Sequence, residues 1–419
     1  MKSSNSFPKY GLQWERDEIK FKKFKVEEIK EKNIILHKDK PTHQLIEGDN
    51  IYSLKFLQKN YQSKIDFIYI DPPYNTGYKQ GQEGFVYDDF LQKNEFQYNH
   101  SAWLNFLFPR LEIAKSLLSQ TGLIFISIDE GELAHLKLLC DELFGEENFI
   151  QYFIWKKRTS GGQYKKGSVV AQTEFILAYA KEKAHLKFHK IQTANQPTTI
   201  WRDYRKSGGQ WQKKYRPKQH FPFFYDPVAN TLSLQKEQNH HIEIRPQNAK
   251  NELGFWENGI ETATKRLKNN ELKVVYIRHS KKYKILQLKK SNSLQNAGNF
   301  IDVPSIKGTN EIKFFDLNFN NAKPISLIQY LLSISTNRHS IVLDFFAGSG
   351  STAQAVMEWN ELNQTQLTCI LCTSNEYNIC ENITYTRLQR IINGYENKSQ
   401  KKYKALKQNL QYFKIITLK

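Results

Sequence analysis

The sequence predicts an α/β fold: a doubly wound, mostly parallel sheet with a long insert near its middle. Three observations predict it. Two apolar runs, 65–70 and 341–343, each end in an unusual loop, Asp71-Pro72-Pro73-Tyr74 and Asp344-Phe345-Phe346-Ala347-Gly348-Ser349-Gly350. Strand-like and helix-like patterns alternate through 43–183 and resume at Lys323-Pro324. Between about 184 and 310 that rhythm breaks, and aromatic residues lie among many Lys and Arg. Ligands of open α/β sheets collect at the carboxyl ends of strands, so the two loops suggest one site assembled from distant sequence.

The elements follow in order. Residues 1–42 are charged and poor in core, an arm laid over the surface or partly disordered, with a polar helix expected over 20–32. Residues 44–50 read as a short strand and turn, and 51–60 as a helix with Leu54 and Leu57 on one face. After the strand 65–70 comes a Gly-rich, aromatic segment, 77–89, with the composition of a mobile loop. Residues 103–118 form an amphipathic helix, 123–128 a buried strand and 132–144 a helix. Residues 149–155 and 173–180 read as an antiparallel pair at the sheet edge. Within the insert, 274–277 and 283–286 predict a hairpin. Beyond it, 325–333, 351–359 and 383–392 read as helices, and 341–343 and 367–372 as strands. Five segments result: an arm (1–42), a first half (43–183), an α+β insert (184–310), a second half (311–395) and a peripheral basic tail (396–419).

Composition narrows the function classes. The 419 residues carry a formal net charge of +19 and a pI of about 9.4, which favours a polyanionic partner, most commonly nucleic acid. No apolar stretch approaches membrane-spanning length, and the first residues lack the apolar core of a signal peptide. Four cysteines are too few for a disulfide framework, and a cytoplasmic location is expected. Cys369 and Cys372 have knuckle spacing, but they lie in a strand pattern without a second pair, so no metal is expected.

The two loops carry the chemistry. Small residues after a strand let backbone approach a ligand, and the next helix offers free N–H groups. Residues 347–352 lack the Lys of a triphosphate-binding loop and fail the full dinucleotide pattern. In Asp71-Pro72-Pro73-Tyr74 the prolines fix φ and remove two donors. That leaves a rigid set of acceptors, the Asp71 carboxylate and the Pro72 carbonyl, suited to an NH₂ group. Tyr74 adds a flat face on which a base can stack.

Together these loops resemble the catalytic and S-adenosylmethionine motifs of amino-DNA methyltransferases. The catalytic motif comes first and the cofactor motif last, as in the beta group, which includes type III restriction-modification Mod subunits. The likeness extends to residues 45–50, 103–111, 126–129 and 144–149 and to Lys323-Pro324 with Leu327. It implies a Rossmann-like methyltransferase sheet in permuted motif order. It also implies methyl transfer from S-adenosylmethionine to the N6 amine of a flipped adenine in duplex DNA, with the insert as target-recognition region. Asp71, Pro72, Pro73 and Tyr74 match the catalytic motif. Asp344, Phe346, Ala347, Gly348, Ser349 and Gly350 match the cofactor loop, with Asp71 beside it. Asp49 matches an acid near the cofactor adenine, and Lys323 the segment flanking its methionine part. Where the family often has an acid for the ribose, this strand ends in Thr373, with Asn375 or Glu376 as alternatives. A homodimer and a restriction subunit are further implied partners. A cytosine-N4 enzyme, which usually has Ser in place of Asp71, an RNA methyltransferase and a non-catalytic recognition subunit are the alternative readings.

Overall fold

A computed structural model describes residues 14, 16, 21–35, 37–76, 99–158, 169–192, 199–207, 216–247, 252–290 and 294–418. The loop expected over 77–89 lies outside the described residues, as do Gly77, Trp211 and Tyr215. The chain divides into two compact units, one of residues 1–190 and 296–419, the other of 191–295.

The larger unit is built on a ten-stranded sheet. Its order is Phe24–Glu28, Asn409–Thr417, Thr42–Glu47, Thr368–Thr373, Ile341–Asp344, Ile65–Ile70, Leu118–Ile128, Thr173–Ala180, Phe149–Lys156 and Phe300–Asp302. Pairing is parallel from Asn409–Thr417 through Leu118–Ile128, and antiparallel where Thr173–Ala180 meets both its neighbours. Central strands with helices on both faces are nearly all apolar. Ile65–Ile70 follows this, with only Asp66 less than fully buried. Ile68, Ile70, Ile124 and Ile126 share a core with Leu54 and Leu57 of Asn50–Tyr61 and with Trp103, Leu107 and Leu111 of Asn99–Leu117. Ile325–Ser335 packs on Ser351–Asn363 and on Ile65–Ile70. This is the expected doubly wound sheet, and its strand order brings the second half of the chain between two strands of the first.

Three sequence expectations are corrected. The described residues 21–32 form no polar α-helix: Phe24–Glu28 is a strand, because Phe24 and Val26 alternate toward the core while Lys25 and Glu27 face solvent, and only Lys30–Lys32 makes a 3₁₀ turn. The segment 396–419 is not peripheral, since Asn409–Thr417 lies inside the sheet with Leu410 and Tyr412 fully buried. Its period of two is hidden behind the Lys-rich residues before it. The insert is narrower than 184–310, because Phe300–Asp302 pairs with Phe149–Lys156 and Ile306–Phe314 packs on Ile325–Ser335.

The smaller unit has its own core of Tyr204, Phe223, Trp256, Ala263, Leu272 and Ile285. Tyr204 and Trp256 stack with centroids 5.5 Å apart. The expected hairpin forms from Leu272–Ile277 and Lys282–Lys290, with Val274 opposite Ile285, and a helix spans Ile260–Lys268.

Candidate active site

The two marked loops meet because their strands are neighbours. Val342 pairs with Phe67 and Leu343 with Ile68, in parallel, so Asp71 and Asp344 leave the sheet at the same edge. Between them lies a cleft of about 400 Å³, within the usual range for small-molecule sites. Its wall includes Asp71, Pro72, Tyr74, Lys323, Asp344 and residues 346–349. Four predicted residues stand outside that wall: Asp49, Pro73, Gly350 and Thr373. The Pro73 carbonyl accepts from Trp103 Nε1 at 2.7 Å, which anchors the loop to the helix below.

Asp71 is held by a network that the sequence did not reveal. Lys323 Nζ lies 2.7 Å from Asp71 Oδ1 and donates to Oδ2 at 2.8 Å. It also donates to the Tyr74 hydroxyl at 3.0 Å. That hydroxyl lies within donating distance of Asp71 Oδ1, 2.8 Å, and of Glu174 Oε2, 3.2 Å. Glu174 is 3.6 Å from Lys323 and accepts from Lys157 at 2.7 Å. Two buried acids thus share two lysines. Burial raises the Asp71 carboxyl above its ordinary value, and Lys323 only partly offsets this. Burial also works against ionised Glu174, but Lys323 and Lys157 together outweigh it and hold that carboxyl low. Lys323, desolvated yet flanked by both acids, stays above the ordinary lysine value. Glu174 had one sequence signal, a lone acid in the otherwise apolar strand Thr173–Ala180.

The glycine loop is shaped from within. Asp344 Oδ1 accepts from the Phe346 N–H at 3.0 Å, and Oδ2 from the Thr352 hydroxyl at 2.6 Å. Gly348 and Gly350 have φ of +48° and +79°, a region that disfavours side chains. A Cβ at Gly348 would point at Phe319 on the cleft wall.

A family model for DNA methylases matches residues 65–379. The StyLTI Mod subunit of a type III restriction-modification enzyme, from Salmonella typhimurium, is 33% identical over 408 residues. That match covers 85% of this chain and 58% of that protein. The EcoP15I Mod subunit from Escherichia coli is 30% identical, covering 87% of this chain and 65% of the relative. The type II methyltransferase M.KpnI from Klebsiella pneumoniae is 30% identical, covering 88% and 92%. The chain belongs to the DNA methylase family. It spans about three-fifths of the length of the two Mod subunits.

In this member of the family the remaining predicted residues have partners of their own. Asp49 caps the helix Asn50–Tyr61 through Ile51 N, 3.0 Å, and pairs with Arg110 at 3.0 Å. Its neighbour Asn50 donates to the Phe345 carbonyl at 2.8 Å, which ties this turn to the glycine loop. Thr373 accepts from Gly48 N at 2.9 Å through its carbonyl. A Cβ at Gly350 would meet Thr384 at 3.2 Å, so this glycine serves the loop's backbone. Behind the loop lies the fully buried Arg387, unforeseen from the sequence. It donates to Ser349 O and Oγ at 3.1 Å, to Ser351 Oγ at 3.0 Å and to Gln354 at 2.8 Å. Burial lowers its guanidinium to about 10.

Burial lifts the Asp344 carboxyl to about 7, with the charge of Asp71 adding to the shift and its two hydrogen bonds opposing it. The native state therefore holds a proton that the unfolded chain has released, and stability falls as pH rises from about 4 to about 7. Asp344→Asn is expected to flatten that slope and to stabilise the ligand-free chain at pH 8 by roughly 2–4 kcal/mol. Urea unfolding at pH 5.5 and pH 8 checks this; an unchanged slope would place the titration elsewhere.

Proposed function

We propose that the chain transfers a methyl group from S-adenosylmethionine to the N6 amine of adenine in duplex DNA, as the modification part of a restriction-modification system. One observation carries the reading: the Asp71 acceptor loop and the glycine loop at Asp344 flank one cleft from adjacent strands. The residues fit the cofactor. Ala347, Gly348 and Ser349 line the cleft, and a Cβ at Gly348 would come to 3.4 Å from Phe319 on its wall. Thr373 ends one strand and Asp49 follows the next, farther along the same sheet edge, which suits an extended ligand.

When bound, S-adenosylmethionine supplies an electrophilic methyl on a sulfonium. The chain's part is to position the amine and make it more nucleophilic. An aromatic amine is a weak nucleophile because its lone pair is delocalised into the ring. Accepting its two N–H bonds at Asp71 and at the Pro72 carbonyl favours a more tetrahedral nitrogen. Asp71 meets the amine only if Lys323 yields one of its oxygens, and Glu174 is the partner that receives the ammonium. The amine loses a proton on methylation, and the raised Asp71 carboxyl is the acceptor beside it. Extrusion of the base costs a few kcal/mol, partly offset by stacking on Tyr74. Pre-set groups in a partly dry cleft make catalysis chiefly positioning and electrostatics.

Tyr74 therefore has two roles, ring and hydroxyl. Tyr74→Phe is expected to lower kcat about tenfold by removing the bond to Asp71, which is worth about 1.5 kcal/mol. Tyr74→Ala loses the stacking face too, roughly a further 5- to 100-fold. Single-turnover rates of the two variants check this, and a fully active Phe variant would leave only the ring.

The unit 191–295 supplies the choice of sequence in this reading. It interleaves aromatics with Lys and Arg, as where Lys273 lies 4.2 Å from the Trp201 ring centre. Basic side chains neutralise phosphates, while Arg, Lys, Asn and Gln reach base edges. Exchanging this unit for that of a related enzyme should move methylation to the donor's site; an active chimera with the original site would refute the assignment. Binding should also weaken steeply with salt through counterion release. The reading extends to a cytoplasmic homodimer and to a restriction subunit as partner, the latter supported by the relatives' names as Mod subunits. Among the described residues no helix is long and apolar enough to cross a membrane. The direct test is incubation of the chain with duplex DNA and methyl-labelled S-adenosylmethionine: label in DNA supports the reading, and its absence sinks it.

A further inference from the structure

Beneath the catalytic loop sits a group of side chains that methyl transfer does not use. His100 is in the first turn of Asn99–Leu117. Glu132 precedes the helix Leu133–Phe144 but its side chain makes no cap, and His135 follows one turn later. One ligand atom from each of the three lies within 4.8 Å of the others. Glu132 is only 1% exposed. Its Oε1 is occupied, lying 2.7 Å from Asn75 Nδ2 and 2.6 Å from His100 Nδ1. Its Oε2 makes no hydrogen bond among the described residues, nor does His135 Nδ1. These two buried atoms nevertheless face each other at 3.0 Å. The two imidazoles stack with centroids 4.2 Å apart.

A buried carboxylate oxygen without a partner is costly, and a facing nitrogen that fails to bond it leaves the cost in place. A cation reached by both would satisfy them together. Two imidazoles and one carboxylate suit zinc and similar transition ions, which bind such sets at about 2.0–2.2 Å and accept an open fourth position. Calcium and magnesium take oxygen ligands instead. We propose that His100, Glu132 and His135 bind one divalent transition ion of zinc's class, and that this ion stiffens the catalytic loop. The link is the bond from Glu132 to Asn75, which follows Tyr74 directly and holds a left-handed φ of +61°. The ion is structural and takes no part in methyl transfer, so the site stands or falls apart from the proposed reaction.

The full-length, tag-free chain, stripped with chelator, is titrated with zinc and, separately, with cobalt(II), and its thermal unfolding is followed. One equivalent should bind at this cluster, raise Tm and give cobalt(II) the intense visible bands of a four-coordinate ion; magnesium should do neither. His135→Ala leaves the bonds from Glu132 to Asn75 and His100 in place but removes the stacked ring, so its zinc response is read against its own metal-free Tm. It should weaken zinc at least about tenfold, since even supporting groups cost that much, and His100→Ala should do the same. A second cluster, Asp226 with His240 and His241, belongs to the other unit. His241→Ala is therefore the control and should leave zinc affinity and the Tm rise unchanged. The proposal is overturned if the parent takes no zinc at micromolar concentration. It is equally overturned if both His135→Ala and His100→Ala bind zinc normally, or if binding is lost in His241→Ala alone.

Discussion

Asp71→Asn is expected to lower methyl transfer about 10³-fold or more while S-adenosylmethionine affinity stays within a few-fold. The scale is that of removing one pre-set group from the reacting centre. Asn keeps the size of the side chain but presents one acceptor and one donor where the amine needs an acceptor. It also has no charge to take the departing proton. The fold should survive, because Lys323 retains Glu174 at 3.6 Å as a counterion. Ala347, Gly348 and Ser349 on the cofactor side of the cleft are untouched. Single-turnover kinetics and calorimetry separate the two quantities. An equal loss of cofactor affinity would mean that Asp71 belongs to the cofactor pocket and not to the amine.

Lys323→Met is expected to be the most destabilising change in the cleft and to move the acid limb of activity to higher pH. Lys323 is buried and bridges Asp71, Tyr74 and Glu174. Removing one partner of a buried ion pair costs about 3–5 kcal/mol, because the other charge is stranded. Glu174 keeps Lys157, so Asp71 bears most of the loss. Its carboxyl, already raised by burial, rises further. A raised native carboxyl binds a proton that the unfolded chain has released, so stability falls as pH rises from the ordinary Asp value through the new one. The variant should therefore lose more stability relative to the parent at pH 8 than at pH 5. Only ionised Asp71 accepts the amine, so the rate should need higher pH to reach its plateau. Urea unfolding at both pH values and a kcat/KM profile against pH test the two halves; parental behaviour in both would break the network described here.

Much of the sheet is legible because its central strands are continuous apolar runs, such as Ile65–Ile70 and Thr368–Thr373. Strands beyond Thr42–Glu47 were hidden for a physical reason. Phe24–Glu28 is half solvated and mostly charged, and Asn409–Thr417 follows a Lys-rich stretch, so composition masked a period of two. The loops at Asp71 and Asp344 are visible because glycine and proline mark backbone that few other residues can form. Their partners were not visible, because side-chain pairing across 252 positions, as from Lys323 to Asp71, leaves no local pattern. Glu174 carries a weaker trace, a charged residue in a mostly apolar strand, whereas Arg387 lies among polar residues of the helix Thr386–Asn393 and leaves none. Asp49 is ambiguous in sequence for a similar reason: an acid before a helix is equally a cap, and here it caps.

Nucleoside analysis of methylated DNA tests the central claim most directly. Duplex DNA is treated with the purified chain and S-adenosylmethionine, digested to nucleosides and separated by mass and retention. The account predicts N6-methyl-2′-deoxyadenosine as the product, absent when Asp71→Asn replaces the parent. N4-methylcytosine as the product, or an undiminished yield from the Asp71 variant, would contradict it.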